Sequence, residues 1–393
     1  MLAEVASINP RPKSRPDEAE LISFIPMSAV DAETGVTASG EDRPFGDVKT
    51  GYTIFQNRDL LLAKITPCFE NGKIAQAHLS RDVGVGSTEF HVIRPNPANL
   101  ESRYLLHFLR QGWVRRLGER RMTGSAGQRR VPESFIAGLK IPVPSLREQQ
   151  EIAELLDRAD ALRTRRREGL ALLDELARSV FTEVVGDSVT NPRGWDDSCR
   201  LGDVAAISSG ITKGRDPGST SLRTVPYLAV LNVQDRRLDL STVKHIEATE
   251  AEIARYRLVS GDLLLTEGGD PDKLGRGCLW NDELPEAIHQ NHIFRVRVTD
   301  RSRVIPVYLN WLVSSLRGKL YFLRSAKQTT GIASINATQL KQFPLLLPPI
   351  EIQKEFADRL AHVERLRAAY GASLTKMDEL FASLQDRAFR GEL

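Results

Sequence analysis

The chain has 393 residues, 41% of them hydrophobic and 27% charged, with a net charge of only +3. That length predicts two or three compact units of a soluble globular protein. No apolar run reaches the roughly 18–20 residues of a membrane span, so no membrane partner is expected. The first residues show no signal-peptide apolar region. Cys68, Cys199 and Cys278 are scattered and odd in number, and the seven histidines show no HExxH or HxH spacing. Neither a disulfide framework nor a metal site is expected, and a reducing cytoplasm is the expected compartment.

In chain order, "DLLL" at Asp59–Leu62 predicts a strand that enters a polar loop, and "EFHVIRP" predicts another. Phe108, Leu109, Trp113 and Leu117 fall at helical spacing and are expected in a core. Arg110, Arg115, Arg116, Arg120, Arg121, Arg129 and Arg130 crowd one short region. They form either a phosphate-neutralising patch or a solvated helix face.

From Pro144 runs "PSLREQQEIAELLDRADALRTRR". Ser145 followed by Glu148 is a capping box, and Gly186 stands where a helix would end. Ile152, Leu155, Ala159, Leu162, Leu173, Leu176 and Val180 predict a coiled-coil seam. Arg163, Arg165, Arg166 and Arg167 cluster at mid-helix, facing DNA, an acidic partner or water. Downstream come the Gly-rich loop "SSGITKGRD", a second "DLLL" at Asp262–Leu265 and the strand "HIFRVRV". Trp311, Leu312 and Leu316 follow at helical spacing and are also expected in a core.

From Pro348, "PPIEIQKEFADRLAHVERLRAAY" repeats the earlier segment, and Gly391 ends it. Its predicted seam is Phe356, Val363, Leu366, Tyr370, Met377, Leu380 and Leu384. Shifted by 204, Pro144 falls on Pro348, Gln149 on Gln353, Leu156 on Leu360 and Asp174-Glu175-Leu176 on Asp378-Glu379-Leu380. Tyr104 falls on Tyr308 and Val131 on Ile335. The chain thus reads as a tandem duplication: unit, helix, unit, helix. Each helix of about 40 residues would be roughly 60 Å long. Its narrow apolar stripe requires a partner, for which its own repeat is the simplest choice. An antiparallel pair places Arg166 opposite Tyr370, a cation–π contact. Slipping one turn brings Gly169 opposite Gly371 instead.

"LKIPVPSLREQQEIAELLD", "LLLPPIEIQKEFADRL" and the terminal "LFASLQDRAFRGEL" resemble the conserved regions of type I restriction–modification DNA specificity subunits. "NRDLLLAKITPCFENGKIAQA", "SGDLLLTEGGDPDKLGRGCLW", "GSAGQRRV" and "TTGIASI" resemble looser features of the same family. The resemblance covers the whole chain. It implies an α+β protein with two target-recognition domains, 1–143 and 188–345. They alternate with two spacer helices, 144–187 and 346–393, which form an antiparallel coiled coil with an internal pseudo-twofold repeat. It further implies a non-catalytic subunit that reads a bipartite, asymmetric site in double-stranded DNA. Two methylation subunits and motor-nuclease restriction subunits would assemble on it. S-adenosylmethionine, ATP and Mg are then expected on those partners and no cofactor on this chain. "MLAEVASINP" starts almost at the point equivalent to "RLGDVAAISSG" near Leu201, which leaves open how the N-terminus packs.

The residues agree on the absence of chemistry. "NPRP", "NPAN" and "NPRG" do not match the Asn/Asp-Pro-Pro-aromatic motif that holds a flipped base, and there is no GxxxxGK[ST] phosphate loop. "DPDK" at Asp270–Lys273 only superficially resembles a nuclease cluster and is expected to be a DNA-contacting turn. Base reading favours Arg and Lys for guanine and Asn and Gln for adenine. The first domain therefore offers Lys64, Thr66, Asn71, Lys73, Ser87, Thr88, Ser125, Gln128, Arg129 and Arg130. The second offers Lys273, Arg276, Gln290, Asn291, Thr329, Thr330, Ser334 and Asn336, with Lys213 and Arg215 as phosphate contacts. The rival reading is a coiled-coil adaptor that assembles proteins without sequence-specific DNA binding.

Overall fold

The computed structural model describes every residue except 13, 39, 126, 217–220, 271–273 and 330–331, and gives the backbone alone for 328, 329 and 332. The chain divides into two compact units. Unit 1 comprises Met1–Ala171 with Ala368–Leu393, and unit 2 comprises Leu172–Arg367.

In unit 1 the leucines of "DLLL" occupy the strand Leu60–Ala63, inside a four-stranded antiparallel sheet. The strand order is Ala6–Ile8, Phe90–Pro95, Leu60–Ala63, Ile74–Gln76. Leu60 and Leu62 enter one apolar cluster and Leu61 another, so this strand is buried on both faces. A second sheet runs Glu41–Pro44, Leu21–Ile25, Val83–Ser87, Tyr52–Gln56, with its central pair parallel. The helices Ser102–Leu109 and Gly112–Arg121 close the unit.

Unit 2 repeats the plan. Ala205–Ser209, Ile293–Val298, Leu263–Thr266 and Gly277–Leu279 form an antiparallel sheet in the same order. Lys244–Ala248, Arg223–Leu228 and Ile288–His289 form the counterpart of the second sheet, again with one parallel pair.

The repeat extends to buried polar devices. Asp59 takes two hydrogen bonds from the Arg94 guanidinium, at 2.8 and 2.6 Å, and Asp262 takes two from Arg297, both at 2.7 Å. Each pair is a bidentate fork, which fixes geometry as well as charge. The Gln149 amide donates to the Asn99 and Pro144 carbonyls and accepts from Glu101 N–H. Gln353 does the same with Arg303, Pro348 and Ile305. Each glutamine staples the start of a long helix to its own unit.

The long helices span Leu146–Val185 and Ile350–Arg390. Ser145 and Glu148 form the capping box: Glu148 accepts from Ser145 N–H at 2.9 Å, and Glu148 N–H donates back to the hydroxyl at 3.3 Å. Gly186 and Gly391 end the helices at φ +87 and +75, where a side chain would be strained.

Within each unit the helical segments pack antiparallel. In unit 1 Arg163 bonds Asp378 at 2.7 Å, and the Arg166 guanidinium lies 4.3 Å from the Tyr370 ring centroid. In unit 2 Arg367 pairs with Asp174 at 3.2 Å and Arg359 with Glu183 at 2.7 Å. The expected seam needs correcting. Leu155, Leu162, Leu176, Leu366 and Leu380 are exposed. Ile152, Val180, Phe356 and Val363 of that seam are buried as expected, and the buried stripe adds Ala153 and Leu156 in unit 1 and Phe181, Val184 and Leu360 in unit 2. The cause is that each helix shares the core of a globular unit as well as facing its helical partner.

The mid-helix arginines are corrected as well. Arg163 and Arg167 bond Asp378 and Arg166 covers Tyr370, so only Arg165 of that cluster is fully exposed. Phe108, Leu109, Trp311 and Leu312 are core, as expected, but Trp113 (41% exposed), Leu117 and Leu316 are not. At the N-terminus, Leu2 is fully buried in the same apolar cluster as Ala388, and Phe389 packs against that cluster.

Candidate nucleic-acid interface

In unit 1 three segments far apart in the chain are joined by backbone hydrogen bonds. Lys64 N–H donates to Glu89 O at 2.8 Å, Thr66 N–H to Arg129 O at 3.0 Å and Val131 N–H to Lys64 O at 2.9 Å. The loops 64–73, 87–89 and 123–131 therefore form one surface, and all ten sequence-picked residues of this unit lie on them. Asn71, Thr88, Ser125, Gln128 and Arg129 are exposed, while Lys64, Thr66, Lys73, Ser87 and Arg130 are half-buried.

Several of these side chains already have partners. Arg130 grips Glu89 at 2.7 Å, and its hydrogen bonds hold the Glu89 carboxyl below its ordinary pKa. Arg129 reaches Glu70 more loosely, at 3.4 Å. Thr66 Oγ1 donates to Glu70 at 3.1 Å, Lys73 Nζ donates to Met27 O at 3.0 Å, and Ser87 Oγ accepts from Glu89 N–H. The side chains with unused hydrogen-bonding capacity are thus chiefly Asn71, Thr88, Ser125, Gln128 and Arg129.

The same clamp recurs in unit 2. Glu267 N–H donates to His292 O at 3.0 Å and Ile335 N–H to Glu267 O at 2.9 Å. These are the counterparts of the Lys64–Glu89 and Val131–Lys64 bonds. They gather the loop after Leu263–Thr266, the segment 290–292 and the segment 333–336. Asn291 N–H donates to Ile211 O, which brings the Lys213 loop to Gln290 and Asn291. Lys213 is exposed. Arg276 is half-buried, and its Nη1 donates to Gln234 at 3.1 Å. Ser334 lies in the strand Ile332–Ser334, half-buried. Thr329 ends the strand Lys327–Thr329. Lys273 and Thr330 lie outside the described residues, as does most of "DPDK".

Two picks in unit 2 have structural work that their loop context did not reveal. Arg215 is a half-buried fork on Glu252, whose carboxyl falls to about 2, first because of the Arg215 hydrogen bonds. It also donates to the Glu247 carbonyl, so in this structure it braces the second sheet. Asn336 caps the helix Ala337–Lys341 by accepting from Gln339 N–H at 2.9 Å.

Sequence reasoning missed the acids. Glu70, Glu89 and Glu267 stand among the chosen loops, and His292 pairs with Glu267 at 2.7 Å. Carboxylates accept from cytosine N4 and also aim neighbouring arginines. The signal that could have found Glu89 and His292 is their position, 203 apart, just before each paired strand. No group of His, Cys, Asp and Glu among the described residues could hold a metal ion, and no described helix is long and apolar enough to cross a membrane.

The model of the type I restriction modification DNA specificity domain matches residues 44–171 and again residues 192–370. The chain belongs to that family. The two matched stretches fall one in each half of the duplication. The EcoEI specificity subunit of Escherichia coli is 45% identical over 152 residues, covering 38% of this chain and 25% of that one. The EcoKI specificity subunit of Escherichia coli K12 is 26% identical over 337 residues, 82% of this chain and 72% of that one. The match therefore spans only a quarter of the EcoEI subunit's length. A chain from a structural study of complex assembly and conformational transition in the type I R-M system shares the fold. Its TM-score is 0.54 at 20% identity, over 100% of this chain and 97% of that one.

Proposed function

We propose that this specificity-domain protein reads a bipartite, asymmetric sequence in double-stranded DNA, one half-site per unit, and performs no chemistry itself. The observation that carries the reading is the repeated clamp. In both units the same backbone bonds gather loops from three segments into one surface holding Arg, Lys, Asn and Gln, the side chains suited to base edges. The two long helices set the gap between half-sites, and two methylation subunits and motor-nuclease restriction subunits assemble on the chain. S-adenosylmethionine on the methylation subunits supplies the methyl group, and the motor subunits use ATP and Mg. Membership of the specificity family and likeness to a chain from the assembled type I system support this placement.

The test is competition binding of the complex with methylation subunits to target and scrambled DNA. Alanine at Gln128, Arg129, Asn291 and Asn336 is expected to abolish sequence preference while leaving salt-sensitive non-specific binding. Asn336→Ala also removes a helix cap, at a cost of about 1 kcal/mol, so its melting curve is recorded in parallel. Preference that survives all four changes contradicts the assignment. A wild-type complex with no preference favours the adaptor reading instead.

A further inference from the structure

The repeated clamp has an equivalent corner in each unit. Lys64 in unit 1 and Glu267 in unit 2 both spend their backbone groups on it. The N–H donates to Glu89 O in one and His292 O in the other, and the carbonyl accepts from Val131 N–H or Ile335 N–H. The residue before each corner is buried, Ala63 in unit 1 and Thr266 in unit 2. Side chains alternate along extended backbone, so Lys64 and Glu267 both point away from the core, and both are half-buried.

The frame is shared, but its charges are inverted. Glu89 stands where His292 stands, and Arg130, bridged to Ile65, stands where Ser334 stands, paired with Gly268. Unit 1 thus has a cation at the corner, an anion beside it and a second cation behind. Unit 2 has an anion at the corner, a histidine beside it and a neutral hydroxyl behind. In unit 1 the Glu89 carboxylate is spent on the Arg130 fork, at 3.0 and 2.7 Å, while Lys64 forms no ion pair among the described residues. In unit 2 His292 Nδ1 lies 2.7 Å from Glu267 Oε2. An ionised carboxylate only accepts, so Nδ1 carries the hydrogen, and the carboxylate keeps lone pairs for a further donor. A residue present only to strengthen DNA binding would be basic, as Lys64 is. A carboxylate is repelled by the flanking phosphates, so at this corner it is unfavourable unless a donor meets it.

We propose that the two corners determine specificity in opposite senses. Lys64 donates to a guanine in one half-site. Glu267, positioned by His292, accepts from the N4 amino group of a cytosine in the other. This rests on the reading that each unit contacts its own half-site. Lysine matches guanine O6 and N7 in the major groove, and a carboxylate matches the cytosine amino group.

The complex with methylation subunits is tested by competition between duplexes that each differ from its methylated target at one base pair. Glu267→Gln is expected to lower the preference for cytosine at one position about 10-fold or more, and to tighten binding to scrambled DNA. Lys64→Gln is expected to lower the preference for guanine at one position of the other half-site. In each variant the untouched half-site keeps its preference, which shows that the chain is folded and assembled. His292→Ala lowers the cytosine preference at the same position as Glu267→Gln, and His292→Asn, whose amide can replace Nδ1–H, restores it. An unchanged pattern in Glu267→Gln overturns the proposal. A uniform loss of affinity on every duplex also overturns it, because that marks a phosphate contact or a damaged loop. A wild-type complex with no preference in either half-site overturns the half-site reading beneath it.

Discussion

The Arg166 guanidinium sits 4.3 Å from the centroid of the Tyr370 ring, and the same ring covers Gly169, where an added Cβ would come within 2.7 Å of it. One aromatic side chain thus fills the space left by a glycine and accepts a cation on its face. The contact with Gly169 and the bond from Arg163 to Asp378 place this stretch near the register with Gly169 opposite Gly371. The Arg166–Tyr370 contact persists there because arginine is long enough to reach. The two alternative pairings from the sequence therefore merge into one arrangement.

That arrangement separates two glycines of equal helix cost. Gly371 has nothing within 4 Å of an added Cβ. Gly371→Ala should raise stability by up to about 1 kcal/mol through helix propensity. Gly169→Ala should lose that gain against the Tyr370 ring. Urea midpoints of the two variants check this, and equal stabilisation by both would contradict the contact.

The glutamine staples predict a second pair of effects. Gln149 and Gln353 are fully buried, and each makes three hydrogen bonds to the backbone. Gln149→Ala should destabilise unit 1, and Gln353→Ala unit 2, by about 2–3 kcal/mol, since buried backbone groups are left unpaired. Amide hydrogen exchange resolves which unit loosens in each variant.

Stability should fall on the acid side for a definite reason. Burial, followed by the Arg295 charge, pushes His289 down to about 4 from an ordinary 6.5. Its Nδ1 faces the Tyr256 carbonyl at 3.1 Å and its Nε2 has no partner, so it is folded as a neutral ring. The unfolded chain then takes up the proton first. The contribution is complete above pH 6.5 and is lost progressively as pH falls toward about 4. His107 is also held neutral by burial, and its Nε2–H donates to Asp157 at 2.7 Å. Urea midpoints between pH 7.5 and 4.5 should decline, and His289→Gln should flatten part of that decline.

Among the arginines of the candidate surface in unit 1, Arg129 is exposed and loosely held whereas Arg130 is forked onto Glu89. If Arg129 contacts a phosphate, Arg129→Ala should weaken binding to all DNA and reduce the salt slope by about 1; if it reads guanine, it should relax preference at one position. Arg130→Ala should act mainly by loosening the loop 87–89. Binding isotherms at several salt concentrations on target and scrambled DNA distinguish the two residues.

The duplication, the capping box at Ser145 and the glycine stops were legible because each is a local pattern with a local cause. The core strands were legible from "DLLL", whose three leucines are buried on both faces. The helix seam was legible only in part: Ile152, Val180, Phe356 and Val363 are buried as their spacing predicts. Leu162 and Leu380 have ideal spacing but are 53% and 58% exposed, because burial along these helices is set by sheets that periodicity does not register. Exposure of Trp113 and Leu316 follows from the same limit. The candidate loops were chosen by residue type, but which of their side chains remain available was hidden in long-range pairs. Arg215 with Glu252 and Arg130 with Glu89 lie 37 and 41 residues apart.

The central claim is that each unit reads its own half-site. Residues 1–143 are exchanged for the same segment of a specificity subunit with a different target, and methylated adenines are mapped genome-wide in cells carrying the complete complex. The account predicts a split motif in which one half changes while the other half and the gap are retained. A motif in which both halves change, or one continuous unsplit sequence, would contradict it.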